Sequence, residues 1–259
     1  DQFGGVYGSY LRKVLGFFSG LFVQNETSQT LLFEQKIENV VVTGDLRYDR
    51  VADTALKPKK IQLVEHFKGS KKILIGGSTW AGEEQILGDW QMNTADWKLI
   101  IAPHQIDEPH IQKLTSLFPH SLRYSQVSKE SVTTALDRLE SAHVLIIDNI
   151  GMLSSLYQYA DIAFIGGGFV AGIHNILEAV AFGVPVIFGP NHHKFPEAGE
   201  LVEQGGGFSI TDSATFQEVI NLLLSDDKIL KMASMTCRNF VQSRRGATEK
   251  ILSKIGLVL

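Results

Sequence analysis

The chain is short of several things, and each shortage excludes something. One cysteine, Cys237, stands among 259 residues. No intrachain disulfide can form from it, and a zinc site built on four cysteines is excluded. No uninterrupted apolar run approaches the ~20 residues needed to span a bilayer. No secretory signal is visible, so a cytoplasmic location is the default. Basic residues are not in excess: 24 Lys and Arg face 28 Asp and Glu, a net charge of −4. There is no global pull toward nucleic acid or anionic lipid. Repeats and low-complexity tracts are absent as well.

What is present is an ordinary globular composition, 44% hydrophobic and 20% charged, which argues against wholesale disorder. At roughly 150 residues per domain the length allows one to two domains. Short apolar, β-branched runs fall at 40–42, 73–75, 99–102, 144–147, 162–165 and 184–188. Their continuity predicts strands buried on both faces, as in a parallel sheet. Amphipathic stretches at 83–90, 109–118, 131–140 and 175–182 lie between them. The alternation predicts an α/β fold, a Rossmann-like doubly wound parallel sheet. Cys237 reads as a buried small hydrophobe.

Residues 1–45 read as helix, helix, strand, the end of something larger, and the chain opens on Asp1 in what reads like the inside of a domain. We expect a C-terminal piece of a longer protein. On this reading 1–45 are a remnant of an N-terminal domain and 46–259 an α/β domain. The helical stretch 227–259 is expected to pack back onto the N-terminal part. The apolar segment 14–23, which follows Arg12 and Lys13, reads as a buried helix of that domain, with a membrane-surface helix as the alternative.

In open parallel α/β sheets, ligands bind beyond the carboxyl ends of the strands. Glycine and polar clusters follow five of the runs there: Gly76-Gly77-Ser78-Thr79, Pro103-His104-Gln105, Asp148-Asn149-Ile150-Gly151, Gly166-Gly167-Gly168 and Gly189-Pro190-Asn191-His192-His193. Turn chemistry alone accounts for the glycines better than for the His and Asn residues. The fullest segment is 165–190. A glycine loop leads to a helix expected to begin near His174-Asn175, whose amides would suit a phosphate. Glu178, four residues after His174, would share its helix face and could accept two hydrogen bonds from a ribose diol. The structural alternative is a first-turn acid that favours the helix dipole. Gly166 to Ala171 also fits G-x-G-x-x-A, but the loop comes late in the chain, and Phe188 stands where a ribose-binding acid should be. The pattern therefore argues against NAD.

His174-Asn175-Ile176-Leu177-Glu178, Gly183-Val184-Pro185-Val186 and Gly189-Pro190 resemble the donor-binding segment of the 3-deoxy-D-manno-octulosonic acid (Kdo) transferases. Val23-Gln24-Asn25-Glu26, the run from Val42 to Asp49, Gly77-Ser78-Thr79 with Gly82-Glu83-Glu84, and the stretch from Tyr157 to Gly167 follow in the family's order. The resemblance covers nearly the whole chain. It implies the C-terminal half of a two-domain GT-B glycosyltransferase that moves Kdo from CMP-Kdo to a lipid A precursor. It further implies no metal, no cofactor, and a place on the cytoplasmic face of the inner membrane. The acceptor and the general base, a glutamate, would belong to the N-terminal domain, so this piece alone is expected to be inactive.

Carried over by residue, Gly77, Ser78 and Thr79 would face the donor, and His104 its sugar or phosphate. The loop Ile150-Gly151-Met152 would hold the cytosine through its backbone. Gly167, Gly168 and Asn175 would lie at the phosphate, Glu178 at the ribose, and His174 also in the donor site. Trp80, Pro103, Gly168 and Ala179 depart from the family's usual histidine, arginine, serine and proline. Three alternatives stay open: another GT-B enzyme using a UDP-sugar, a non-catalytic nucleotide-binding domain, and a metal site drawn from His104, Asp148, His174, His192 and His193, which lacks an H-E-x-x-H spacing. The segment His192-His193-Lys194-Phe195 reads equally as a loop over the nucleotide or as an exposed polar loop.

Overall fold

The β-branched runs of the middle of the chain become one parallel sheet in the computed structural model, which describes residues 5–90 and 97–257. The strands, in chain order, are β1 (Leu21–Val23), β2 (Val40–Val42), β3 (Lys72–Thr79), β4 (Trp97–Pro103), β5 (Leu122–Arg123), β6 (Val144–Ile146), β7 (Ile162–Ile165), β8 (Val186–Phe188) and β9 (Gly207–Ser209). The chain divides into two units, residues 54–241 and residues 1–53 with 242–259.

The larger unit holds β3 to β9 in the order β5-β6-β4-β3-β7-β8-β9, with every pairing parallel. Consecutive residues of β4, β7 and β8 are all buried, so both faces are covered and the apolar runs need no polar alternation. On one face Leu74, Ile101, Ile146, Phe164 and Ile187 pack with Ile86, Leu114, Phe216 and Leu223. The last four come from helices Ala81–Asp89, Glu108–Leu117 and Ser213–Ser225. Each fully buried side chain of this kind contributes about 1.5–3 kcal/mol. Cys237 is fully buried in helix Asp227–Gln242, and burial pushes its thiol up to about 12.

The strand order reverses at β3. The chain runs from β3 outward through β4, β5 and β6, then returns to lay β7 against the other edge of β3. The carboxyl ends of β3 and β7 therefore form the crevice at which ligands bind in such sheets.

The smaller unit pairs β1 with β2 in parallel. Asp49, in helix Leu46–Leu56, accepts hydrogen bonds from the amides of Gly246 and Thr248 at 2.7 and 2.7 Å. Those amides open helix Ala247–Lys254. Arg244 and Arg245 follow helix Asp227–Gln242; the first sits over the Tyr48 ring and the second bonds Asp53. The segment 14–23 is not one helix. Helix Gly5–Leu15 ends there, Phe17 and Phe18 are 86% and 53% exposed, and β1 follows. Gly16 and Gly20 flank the two phenylalanines, and glycine is a poor helix former. Among the described residues, no helix is long and apolar enough to cross a membrane.

Candidate functional site

At the end of β3, Gly76-Gly77-Ser78-Thr79 was expected as a loop and is instead strand. Gly77 pairs with Ala102 and Thr79 with Pro103, which leaves Ser78 as a bulge with φ of 52°. Such a bulge re-aims the chain beside a site, and a non-glycine residue held there stores about 1–3 kcal/mol. Thr79 is buried and its hydroxyl donates to Glu84 Oε1 at 3.1 Å. His110 meets the same oxygen at 3.0 Å. Burial raises the Glu84 carboxyl above its ordinary value, against the opposing bonds from His110 and Thr79. Gly77 leaves room for Tyr157: a Cβ there would lie 2.1 Å from the Tyr157 hydroxyl oxygen.

Three rings close over this end of the sheet. Trp80 follows β3, His104 follows β4, and His174 follows the glycine loop after β7. Trp80 stacks on His104 with centroids 4.4 Å apart, and His104 on His174 at 4.7 Å. The Trp80 indole Nε1 donates to His174 Nε2 at 3.2 Å. The strands are tied beneath them, His104 N to Thr79 O at 2.8 Å and Gly166 N to Gly77 O at 2.9 Å. Burial, and then the neighbouring His104, lower the His174 pKa from its ordinary value.

Each glycine of the loop has a backbone neighbour. A Cβ on Gly166 would lie 2.0 Å from Ser78 O, on Gly167 2.4 Å from Gly172 O, and on Gly168 2.4 Å from Gly189 N. The chain's own packing thus requires them, whatever ligand approaches. The helix expected over 175–182 is a single turn, Leu177–Val180. Asn175 Oδ1 accepts from Leu177 N at 3.1 Å, an Asx turn that holds Asn175 outside the helix. Gly183, with φ of 75°, stops it at the other end. His174 lies before that helix and shares no helical face with Glu178; the expected pairing is replaced by Asn175 Nδ2 donating to Glu178 Oε1 at 3.3 Å. Glu178 is half-buried, and its charge adds to burial in raising the Tyr157 hydroxyl. Tyr157 therefore abuts Gly77 and lies within electrostatic reach of Glu178.

The loop after β6 leads into Leu153, whose Cδ1 would lie 3.2 Å from a Cβ on Gly77. Asp148 accepts from Ser125 N at 2.8 Å and from Arg123 Nε at 3.0 Å. Burial raises its carboxyl, but the Ser125 and Arg123 bonds outweigh this and hold it below the ordinary value. Ile150, Gly151 and Met152 rim a cleft of about 580 Å³ together with Lys59, Lys60 and Tyr124. Ile150 is 87% exposed and Gly151 has φ of 88°. Of the candidate residues, Ile150 to Met152 line the cleft, and Gly77 to Thr79, His104, Gly167, Gly168, His174, Asn175 and Glu178 lie around the switch point, with Leu153 joining the loop to Gly77. Lys59 and Lys60 were not singled out from sequence; the run Lys57-Pro58-Lys59-Lys60 was the available signal. Among the described residues no three His, Cys, Asp or Glu side chains are arranged to hold a metal ion. His192 meets Phe188 and His193 edge-on or tilted, apart from the Trp80 stack.

No family model matches the chain. By sequence it is 27% identical, over 97% of its length, to a bifunctional glycosyltransferase/methyltransferase of Fusobacterium nucleatum, of which it covers 38%. It is 28% identical, over 87% of its length, to the 3-deoxy-D-manno-octulosonic acid transferase of Aquifex aeolicus, of which it covers 60%. The chain therefore spans between a third and two thirds of these relatives. Among solved structures it resembles the C-terminal CMP-Kdo binding domain of WaaA from Acinetobacter baumannii, with TM-score 0.59 and 19% identity over 74% of this chain and 98% of that one. It also resembles a UDP-N-acetylglucosamine 2-epimerase, with TM-score 0.61 and 16% identity over 93% of this chain and 59% of that one. The motifs and the sequence similarity agree: over most of its length this chain is similar to Kdo transferases, and its α/β sheet has the fold of the C-terminal domain of such an enzyme.

Proposed function

We propose that the chain is the donor-binding half of a glycosyltransferase that moves Kdo from CMP-Kdo to a lipid A precursor. The observation that carries this is the meeting of His104, His174, Asn175 and Glu178 at the switch point of a sheet whose relatives include Kdo transferases. In this reading the backbone of Ile150-Gly151-Met152 holds the cytosine. Glu178, an acceptor with about four lone-pair sites, keeps capacity for the ribose hydroxyls beside its Asn175 bond. Gly167, Gly168, His174 and Asn175 meet the phosphate, while Ser78 and His104 face the sugar.

The reaction breaks the bond between the anomeric carbon and the phosphate oxygen. CMP leaves with the electron pair, and the carbon gains oxocarbenium character. Fixed N–H donors at the phosphate stabilise that charge without reorganising. The attacking hydroxyl must lose its proton to a general base, which we place in the part of a longer protein that also binds the lipid acceptor at the cytoplasmic face of the inner membrane. No metal or cofactor takes part in this scheme.

Calorimetric titration with CMP, UDP and NAD tests the reading, with Glu178→Ala as the site variant. Selective CMP binding that weakens at least about tenfold in the variant is expected, which is roughly 1.4 kcal/mol. Preference for UDP, or CMP binding indifferent to Glu178, would overturn it.

A further inference from the structure

Trp80 stands where the resemblance leads one to expect histidine, and its indole does something specific to a neighbour. We propose that Trp80 is a positioning residue that holds His174 neutral with its proton on Nδ1, so that the ring offers the donor an N–H and no positive charge. What that N–H meets rests on the donor-site reading above; its existence does not.

The argument is one of donors and acceptors. An indole N–H can only donate. Its partner at 3.2 Å, His174 Nε2, must therefore present a lone pair. An imidazolium carries hydrogens on both nitrogens and has no lone pair to offer. Protonation at Nε2 would set two N–H groups against each other, so the Trp80 bond favours the neutral ring and places its proton on Nδ1. The surroundings agree. The groups packed on the ring are the Trp80 indole, the His104 imidazole stacked at 4.7 Å, and the loop backbone, with a Cβ on Gly167 falling 3.1 Å from His174 Cδ2. Among the described residues no carboxylate bonds this ring to favour a charge. Among the described residues Nδ1 has no hydrogen-bond partner and none of them seals it from solvent, so its N–H is open to a ligand. Burial and His104 also depress the pKa of this ring, in the same direction.

The consequence is chemical. A donor site lined by a charged histidine would bind an anionic donor more tightly as the pH falls. A ring locked as Nδ1–H gives a hydrogen bond whose strength does not depend on proton uptake near the ordinary histidine pKa of about 6.5. It also removes His174 from the general acids, since a neutral imidazole does not give up its remaining N–H proton near pH 7.

The test is the tautomer itself. The whole chain, labelled with ¹⁵N at histidine, is examined by long-range ¹H–¹⁵N correlation from pH 5.5 to 8, with His174→Asn used to assign the signals. We expect a pyrrole-like Nδ1 and a pyridine-like Nε2 for His174 throughout the neutral range. In Trp80→Phe, which keeps an aromatic ring against His104 and removes the N–H donor with the five-membered ring that bears it, the single tautomer should be lost and the titration should shift upward. An Nε2–H tautomer in the wild type, an imidazolium at pH 7, or a Trp80→Phe spectrum like that of the wild type would each overturn the proposal. The wild-type spectrum decides even if the variant fails to fold. Adding CMP to the same sample separates the two readings. No response to CMP with the Nδ1–H tautomer in place counts against the donor site and supports the role of Trp80. CMP binding beside the wrong tautomer does the reverse.

Discussion

Replacing Gly168 with serine introduces a Cβ for which the turn after β7 has no room. That atom would lie 2.4 Å from the Gly189 amide nitrogen, 2.6 Å from its Cα and 3.0 Å from its carbonyl carbon. Real Cβ contacts stay beyond 3.0 Å, so the two segments must part by at least about 0.6 Å, the 3.0 Å limit less the 2.4 Å found. No rotamer change relieves the contact, because both sides are backbone. Parting them also strains the bond from Asn191 N to Gly168 O, now 3.0 Å. Overpacking of this kind costs about 1–3 kcal/mol, and a strained backbone bond loses up to about 1 kcal/mol more. We therefore expect a loss of about 3 kcal/mol. For a domain of this size that lowers Tm by about 6–12 °C. The assay is thermal unfolding followed by circular dichroism, with Gly151→Ala beside it. Gly151 differs in having a positive φ, 88°, and nothing within 4 Å of its Cβ, so its alanine variant should lose only the left-handed strain of about 1 kcal/mol. A Gly168→Ser midpoint within about 2 °C of wild type, or one no lower than that of Gly151→Ala, would refute the reasoning.

Two further predictions concern buried carboxylates of opposite behaviour. Burial raises the Asp49 carboxyl, but the amides of Gly246 and Thr248 and the charge of Arg245 outweigh it and hold the pKa below the ordinary 3.8. A depressed carboxylate stabilises the fold above its unfolded pKa, and that stability is lost as pH falls through the folded value. Asp49→Ala should therefore lose about 1–2 kcal/mol at pH 7, with the gap to wild type narrowing below pH 3.8 in urea titrations; a gap that stays constant with pH would count against the assignment. Glu84 is raised above its ordinary 4.5 by burial, against the bonds from His110 and Thr79. The native state then holds a proton that the unfolded state releases, so this group's contribution weakens as pH rises from 4.5 through the folded value. Glu84→Gln keeps the acceptor for Thr79 and removes the charge, so it should stay within about 1 kcal/mol of wild type at pH 7; a loss of about 3 kcal/mol or more would mean a buried ion pair with His110 had been broken.

The sheet was legible because its strands are buried on both faces. The β-branched runs at 73–75, 99–102, 144–147, 162–165 and 184–188 all fall on strands of the large sheet, and the run at 40–42 falls on β2. What escaped was short or lay at an edge. β5 has two residues and β9 is Gly-Phe-Ser, without a β-branched side chain; their place comes from pairing with β6 and β8 rather than from local preference. β1 was hidden inside the apolar segment 14–23, where composition alone favoured a helix. The helix over 175–182 failed for a local reason: Asn175 bonds the Leu177 amide and Gly183 turns left-handed, leaving one turn between them.

The candidate site was legible by type and not by neighbourhood. Glycine clusters and polar residues after strands can be read one at a time, but which cluster meets which depends on strand order. Trp80 and His174 are 94 residues apart and 3.2 Å apart at their nitrogens. They meet because β7 returns to the free edge of β3 instead of extending the sheet beyond β5. The same return presses Gly166 onto the Ser78 carbonyl, so the glycines that looked like room for a phosphate are first room for the chain. Packing and binding are therefore not rival explanations of this loop. The packing fixes the backbone, and a fixed backbone is what lets Trp80, His104 and His174 stack in one place rather than sample many. Substitutions that disturb the loop should show first in stability, whereas those of Glu178 and Trp80, at the rim of the same crevice, should show first in ligand affinity and in the state of one imidazole.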